Sequence, residues 1–325
     1  VVAARGFLFG LCPLVLGVSP LFAPNLALFA AAGIGGGLLF IGSNTMVVQL
    51  FPERRGTYLN LLHLCFAVAS VLAPLLASSL LSAGRSWYAS YRLLGIAALA
   101  VGLLFVFTRA GAPAARPGGS ALRGLLDRYR LMLSNRNFLA LLVANTLAIG
   151  TQFATIYLTV LFLTRTRGWT LPAASRLLAV YFVLLAAGRL ACSALILRHR
   201  ITRIVLALLV LLAGALAGGW LTRGPFSAVC FASSGLAASG IMPSLMALAS
   251  HLLPAEVSGS ALGLLAMFAG LGGMALTGLT TWIAGAIGLE LAFLAVVFAG
   301  LAALIYFAAT RARFRAVEAQ PLPRR

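Results

Sequence analysis

Leu50–Asn60 reads LFPERRGTYLN and runs into LLHLCFAVASVLAPLL, while Leu252–Gly263 reads LLPAEVSGSALG and runs into LLAMFAGLGGMALTGL. Setting Gly56 on Gly259 pairs Leu59 with Leu262, Leu61 with Leu264 and Leu62 with Leu265. The same offset lays Val1 on Ile204, near the start of another apolar segment. A strongly apolar chain that repeats itself in this way is expected to consist of two related halves.

Composition decides what kind of halves these are. The chain of 325 residues is 62% hydrophobic and only 9% charged, with a mean hydropathy of +1.06. A soluble domain needs far more polar surface to cover its core. The apolar residues form ten runs: 4–22, 25–50, 57–82, 88–108, 137–163, 171–197, 202–222, 225–251, 259–285 and 288–310. Each is about the length that crosses a hydrocarbon core as a helix. None shows the period-two alternation of a membrane β-barrel. The expected class is an all-α membrane protein with ten spanning helices.

The net charge of +19 comes entirely from arginine, since the chain has no lysine. With Val1 on the cytoplasmic side, 17 of the 24 arginines fall at cytoplasmic ends and six (Arg85, Arg92, Arg165, Arg167, Arg176, Arg223) at the opposite ends. That bias is the positive-inside rule and puts both termini in the cytoplasm. It also argues against a nucleic-acid partner, which would need cations interleaved with exposed aromatics on a soluble face. Arg189 alone falls inside a span, near its cytoplasmic end. Snorkelling to the interface accounts for it, and carrying an anion is the sharper alternative. The four cysteines lie far apart in apolar spans, with neither metal-ligand nor disulfide spacing.

The polar stretch 109–136 divides the chain. Its Pro/Gly part reads as a linker, and LRGLLDRYRLMLSNR as a short amphipathic helix on the membrane surface. The expected organisation is an N-terminal bundle over 1–110, a basic linker over 111–136, a six-helix bundle over 137–310 and a tail over 311–325. The repeat maps segments seven to ten onto one to four, so segments five and six lack counterparts. The expectation is a twelve-span parent whose first two spans precede Val1, with a genuine ten-span protein, one half of it incomplete, as the alternative.

Two helical bundles, a basic central loop and paired F/L-P…G turns resemble the major facilitator superfamily. The stretch Gly33–Pro74, GIGGGLLFIGSNTMVVQLFPERRGTYLNLLHLCFAVASVLAP, is similar to the fucose-permease branch of sugar:proton symporters. The resemblance implies a twelve-helix, two-bundle fold, alternating access, a small-molecule substrate, protons as coupling ion and a bacterial-type inner membrane. It also implies a membrane-embedded acid shortly before Asn44, where this chain has Phe40 and Ile41. The superfamily's D-R-x-G-R-R type of loop is only echoed in the second half, by Gly188, Arg189, Arg198, Arg200 and Arg203 without an Asp.

Enzyme chemistry finds no foothold. There is no H-E-x-x-H, no G-x-S-x-G and no paired carboxylate, and the five acids all fall in loops or at helix ends. No cofactor or metal is expected. A transporter needs only a few polar side chains facing a cavity at mid-depth, because a polar group in lipid is costly. Asn145, Gln152 and Thr155 share one face of the span 137–163, with Gln152 near its middle and Tyr157 on an adjoining face. Gly150 would ease a bend of that helix. Asn44, between Ser43 and Thr45, and His63, two turns into its span, complete the candidate substrate-binding residues. Each has a plainer reading as an interhelical hydrogen bond. The function expected is movement of a small organic solute, with a sugar suggested by the resemblance. The alternatives are a drug or metabolite exporter and a non-transporting or inactive truncated membrane protein.

Overall fold

A computed structural model describes residues 2–19, 21–107, 121–254 and 257–318. The described residues form twelve helices, in order: α1 Val2–Val15, α2 Phe22–Leu50, α3 Arg55–Ser82, α4 Tyr88–Phe107, α5 Ala121–Ser134, α6 Arg136–Thr166, α7 Leu171–Leu195, α8 Ile201–Leu221, α9 Gly224–Ala238, α10 Ile241–Leu252, α11 Ser258–Ile287 and α12 Leu289–Glu318. Eight segments of the described residues are long and apolar enough to cross a bilayer, α9 and α10 counting as one, and Tyr88–Leu104 is a shorter apolar helix. With α1, these are the ten apolar segments read from the sequence. The protein is a multi-pass, all-helical membrane protein.

Two differences from the sequence reading have local causes. The run 4–22 ends as helix at Val15, because Gly17 turns the chain at φ +79° and Asn25 accepts the Gly17 amide at 3.0 Å. The run 225–251 breaks at Ser239–Gly240 into α9 and α10. Pro243 lies four residues beyond Ser239 and has no N–H, so it cannot continue the ladder to the Ser239 carbonyl.

The chain forms two compact units. One holds Val1–Met46 and Ala69–Arg116, the other Val47–Val68 and Pro117–Arg325. In the first, α1 lies on α4, and a Cβ at Gly95 would stand 2.7 Å from the Gly10 carbonyl oxygen. In the second, α6 runs against α11, α12 and α7, while α9 packs between α7 and α8. Phe162, Phe231 and Phe293 form an aromatic core with centroids 4.5–5.9 Å apart. Two crossings are made backbone to backbone. A Cβ at Gly272 would lie 2.5 Å from the Thr146 carbonyl, and one at Gly150 would lie 2.9 Å from that of Gly272. A Cβ at Gly235 would overlap the Tyr181 carbonyl of α7. In lipid, where burying hydrocarbon gains little, such close approach supplies the dispersion energy of association. Gly150 therefore has a packing role.

Candidate functional site

The second unit carries two polar or concave features, at opposite ends of its helices. Helices α6 and α11 run in the same direction: Asn145 meets Leu265, Gly150 meets Gly272, and Phe153 meets Gly273. Beyond that crossing they diverge and leave a wedge-shaped cavity of about 750 Å³. Phe153 and Tyr157, one turn apart on α6, form one wall; Met274, Thr277, Thr281 and Trp282 on α11 form the other. Among the described residues the lining holds no charged side chain. The Thr277 hydroxyl on this wall is itself buried and has no hydrogen-bond partner among the described residues. Gly270 and Gly278 keep the wedge open, since nothing lies within 4 Å of a Cβ at either.

At the arginine-rich end, α3 enters between α7 and α10. A Cβ on Gly56, the glycine of the repeated turn, would come 2.9 Å from Ile196. Arg55 donates to the Ser250 carbonyl at 2.5 Å and its hydroxyl at 2.8 Å, with His251 Nδ1 3.3 Å from Nη2. The Thr57 hydroxyl donates to the Ser193 carbonyl at 2.9 Å. Arg189 donates through Nε to the Ser239 carbonyl at 3.2 Å and through Nη1 to the His63 carbonyl. Its guanidinium also sits 5.3 Å from the Phe66 ring centroid.

The logic of this clasp is common to its parts. Ser250, Ser193 and Ser239 lie in the last turns of α10 and α7 and at the end of α9, where carbonyls lack helical donors and the helix dipole is negative. Arginine and threonine hydrogens fill those vacancies. Arg189 does not snorkel. It is 4% exposed, because it stands on the buried stripe of α7 that includes Tyr181, Leu185, Gly188, Cys192 and Ser193.

Of the five sequence candidates, Tyr157 lines the wedge. Gln152 is 9% exposed and turns toward α7, where its amide approaches the Tyr181 hydroxyl without closing a hydrogen bond of good geometry. Asn145 is fully buried and donates to the Leu265 carbonyl at 2.8 Å, pinning α6 to α11. His63 is buried, and its carbonyl takes the Arg189 bond in the clasp. Asn44 belongs to the first unit, where it is buried and donates to the Phe40 carbonyl at 2.7 Å. Sequence reasoning missed Phe153, Trp282 and the Arg55–Arg189 clasp. Pro243 four residues past Ser239 was the available signal for the clasp.

A family model described as Major Facilitator Superfamily matches residues 2–224. The chain belongs to the Major Facilitator Superfamily. That superfamily consists of transporters, not enzymes. Among solved structures, the major facilitator transporter FucP in its outward conformation aligns at TM-score 0.81 and 17% identity, covering 95% of this chain and 82% of that one. A variant of the E. coli fucose:proton symporter FucP gives TM-score 0.79 at 17% identity, covering 95% and 83%. The human organic anion transporter TETRAN gives 0.73 at 17%, covering 94% and 76%. At these identities the likeness is one of fold. In sequence, efflux pump aunC of Aspergillus niger is 39% identical over 71 residues, which are 22% of this chain and 14% of that protein. Protein TsgA of Salmonella paratyphi B is 33% identical over 102 residues, 30% and 26% respectively. The matches thus span a small part of those two relatives.

Proposed function

We propose that the protein moves a small, uncharged organic solute across the membrane by alternating access, with the bundles 1–110 and 137–310 as the moving parts. The observation that carries this reading is the wedge between α6 and α11. It offers aromatic faces and threonine hydroxyls and no charge, so an ion would enter without compensation for its lost hydration, whereas a neutral solute with a flat apolar face would stack and accept a hydrogen bond. The wedge opens at one end of the unit while the clasp closes the other. Access from the clasped side requires Arg55, Thr57 and Arg189 to release their carbonyls. The bonds that link the two bundles are Arg55 to Ser250, Thr57 to Ser193 and Arg189 to His63. At roughly 1 kcal/mol for the threonine and about 2 kcal/mol for each arginine, they are of the order of the few kcal/mol that separate interconverting states. We place the clasped end and both termini in the cytoplasm of a bacterial-type cell, on the arginine bias.

A sugar as solute and protons as coupling ion draw support from the Gly33–Pro74 resemblance and from the fucose:proton symporter among the structures of like fold. Export draws support from the stretch shared with a fungal efflux pump. Tritiated L-fucose uptake into proteoliposomes, with and without a pH gradient, tests the sugar and proton readings together. Gly270→Trp starts from a position with nothing within 4 Å of its Cβ, puts an indole into the wedge and is expected to cut flux at least about tenfold. Unchanged flux in that variant would overturn the wedge as the path.

A further inference from the structure

Helix α12 has 30 residues, about 45 Å at 1.5 Å per residue, and so outruns a hydrocarbon core of about 30 Å. Arg311, Arg315 and Glu318 recur at i, i+4 and i+7 on its final turns, one face of the helix. Glu318 fixes where that face goes. Its carboxylate accepts from the Ile201 amide and from the Thr202 hydroxyl at 2.9 Å, docking the end of α12 on the N-terminus of α8. Arg200, the N-cap of α8, and Arg203, one turn on, stand exposed beside that junction.

Four arginines therefore stand on the two helix ends that this junction joins, and its one carboxylate is occupied by α8. The Nε atoms of both Arg311 and Arg315 are buried without a hydrogen-bond partner. The one ion pair among the described residues, Arg167–Glu290, lies elsewhere. Among the described residues no carboxylate pairs with these arginines, and they stand at the end of a helix that outruns the hydrocarbon core, where a bilayer presents phosphate. Anionic headgroups attract such clusters and offer the oxygens that guanidinium nitrogens bind in parallel.

We propose that Arg200, Arg203, Arg311 and Arg315 form a site for the phosphate headgroup of an anionic phospholipid at the arginine-rich face, seated over the α8–α12 junction. A free phosphate shares the chemistry, but the position at the end of a membrane helix commits the site to a lipid.

The test uses the full chain in detergent, titrated with phosphatidylglycerol or phosphatidylcholine and followed by native mass spectrometry of retained lipid and by thermal unfolding. Phosphatidylglycerol is expected to be retained and to raise the melting temperature, phosphatidylcholine not. R311Q/R315Q is expected to weaken phosphatidylglycerol retention about thirty-fold, which corresponds to about 1 kcal/mol per cation at a charged surface. R165Q/R176Q, exposed cations of the opposite end, is expected to leave retention unchanged. Equal loss in both double variants, or no retention by the unaltered chain, would overturn the site. Inorganic phosphate matching the thermal effect of the lipid would overturn the lipid as occupant. Should R311Q/R315Q not fold, R200Q/R203Q alters exposed side chains only and answers the same titration.

Discussion

Helices α2 and α6 are nearly equal in length, 29 and 31 residues, and α2 is the more apolar, with a mean hydropathy of 1.9 against 1.6. Yet only 6% of the α2 span is buried, against 56% of α6. In water that order would be reversed, because apolar surface is driven inward. In lipid, Leu and Phe lose nothing by facing acyl chains. Burial instead follows small residues that let backbones meet and polar ones that need partners. Helix α6 has both: Gly150 against Gly272, Asn145 on Leu265, and Thr151, Thr155 and Thr159 folded onto their own helix. In α2, a Cβ at Gly33 or Gly37 would meet nothing within 4 Å.

The sharpest way to break this comparison is to add the same side chain to both helical environments. Gly272→Val would push a branched carbon against the Thr146 carbonyl, 2.5 Å from the position of its Cβ. The expected loss is about 3 kcal/mol, read as a large fall in melting temperature by fluorescence-detected size exclusion. Gly33→Val on α2 has open space and should stay within about 0.5 kcal/mol of the unaltered chain. Similar losses for the two would show that the crossing is not what holds α6.

Next in size is the clasp. Arg189→Met keeps the length of the side chain and removes every donor. The Ser239 carbonyl then has no partner, since Pro243 cannot supply one. The expected loss is about 2 kcal/mol, typical of a buried bond to a charged group. Pro243→Ala restores an N–H four residues beyond Ser239. In the double variant it should recover about 1 kcal/mol, a coupling that denaturant midpoints can resolve. If the two substitutions add without coupling, the arginine is not replacing the missing helical donor.

How far these features could be read from the sequence follows the same physics. Span length is dictated by bilayer thickness, so the ten apolar segments and the all-helical class were legible. Turn chemistry was legible only in part: Gly17 ends α1 before its apolar run does, and Pro243 splits α9 from α10. The site was harder, because a polar residue in a spanning helix has the same sequence signature whether it faces a cavity or a neighbour. Asn145, Gln152 and Thr155 do share a face. Asn145 spends it on α11, Thr155 on its own backbone, and Gln152 faces Tyr181. The wedge is lined one residue round from Gln152, by Tyr157, which was among the candidates, and by Phe153, which apolarity alone marked as an ordinary span residue. Arg189 was read as a snorkelling cation because nothing in α7 itself names the carbonyl it serves.

A smaller effect separates packing bonds from cavity groups. Asn145→Leu keeps the volume and removes one bond between α6 and α11. Interhelical hydrogen bonds in membranes average about 0.6 kcal/mol, and the expected loss in stability is of that size. Solute flux in the proteoliposome assay should be unchanged, since Asn145 is fully buried away from the wedge. Lost flux with unaltered melting would return Asn145 to the binding surface.

The smallest expected effect belongs to the single ion pair among the described residues, between Arg167 Nη1 and the Glu290 carboxylate at 3.4 Å. Counting charges would rank this contact above the clasp. Its surroundings rank it below. The Glu290 side chain is 45% exposed, so solvent screens the attraction. Arg167 also keeps other partners, the Trp220 carbonyl at 2.6 Å and the Phe162 ring at 4.9 Å from its centroid. The indole of Trp220 donates to the Glu290 backbone carbonyl at 3.1 Å, which a side-chain change leaves intact. Glu290→Gln should therefore shift stability by no more than about 0.5 kcal/mol. Matched thermal melts of that variant beside Arg189→Met measure the ranking. A loss from Glu290→Gln as large as that from Arg189→Met would mean that charge pairing, and not the capping of helix ends by buried arginines, organises the polar contacts of this unit.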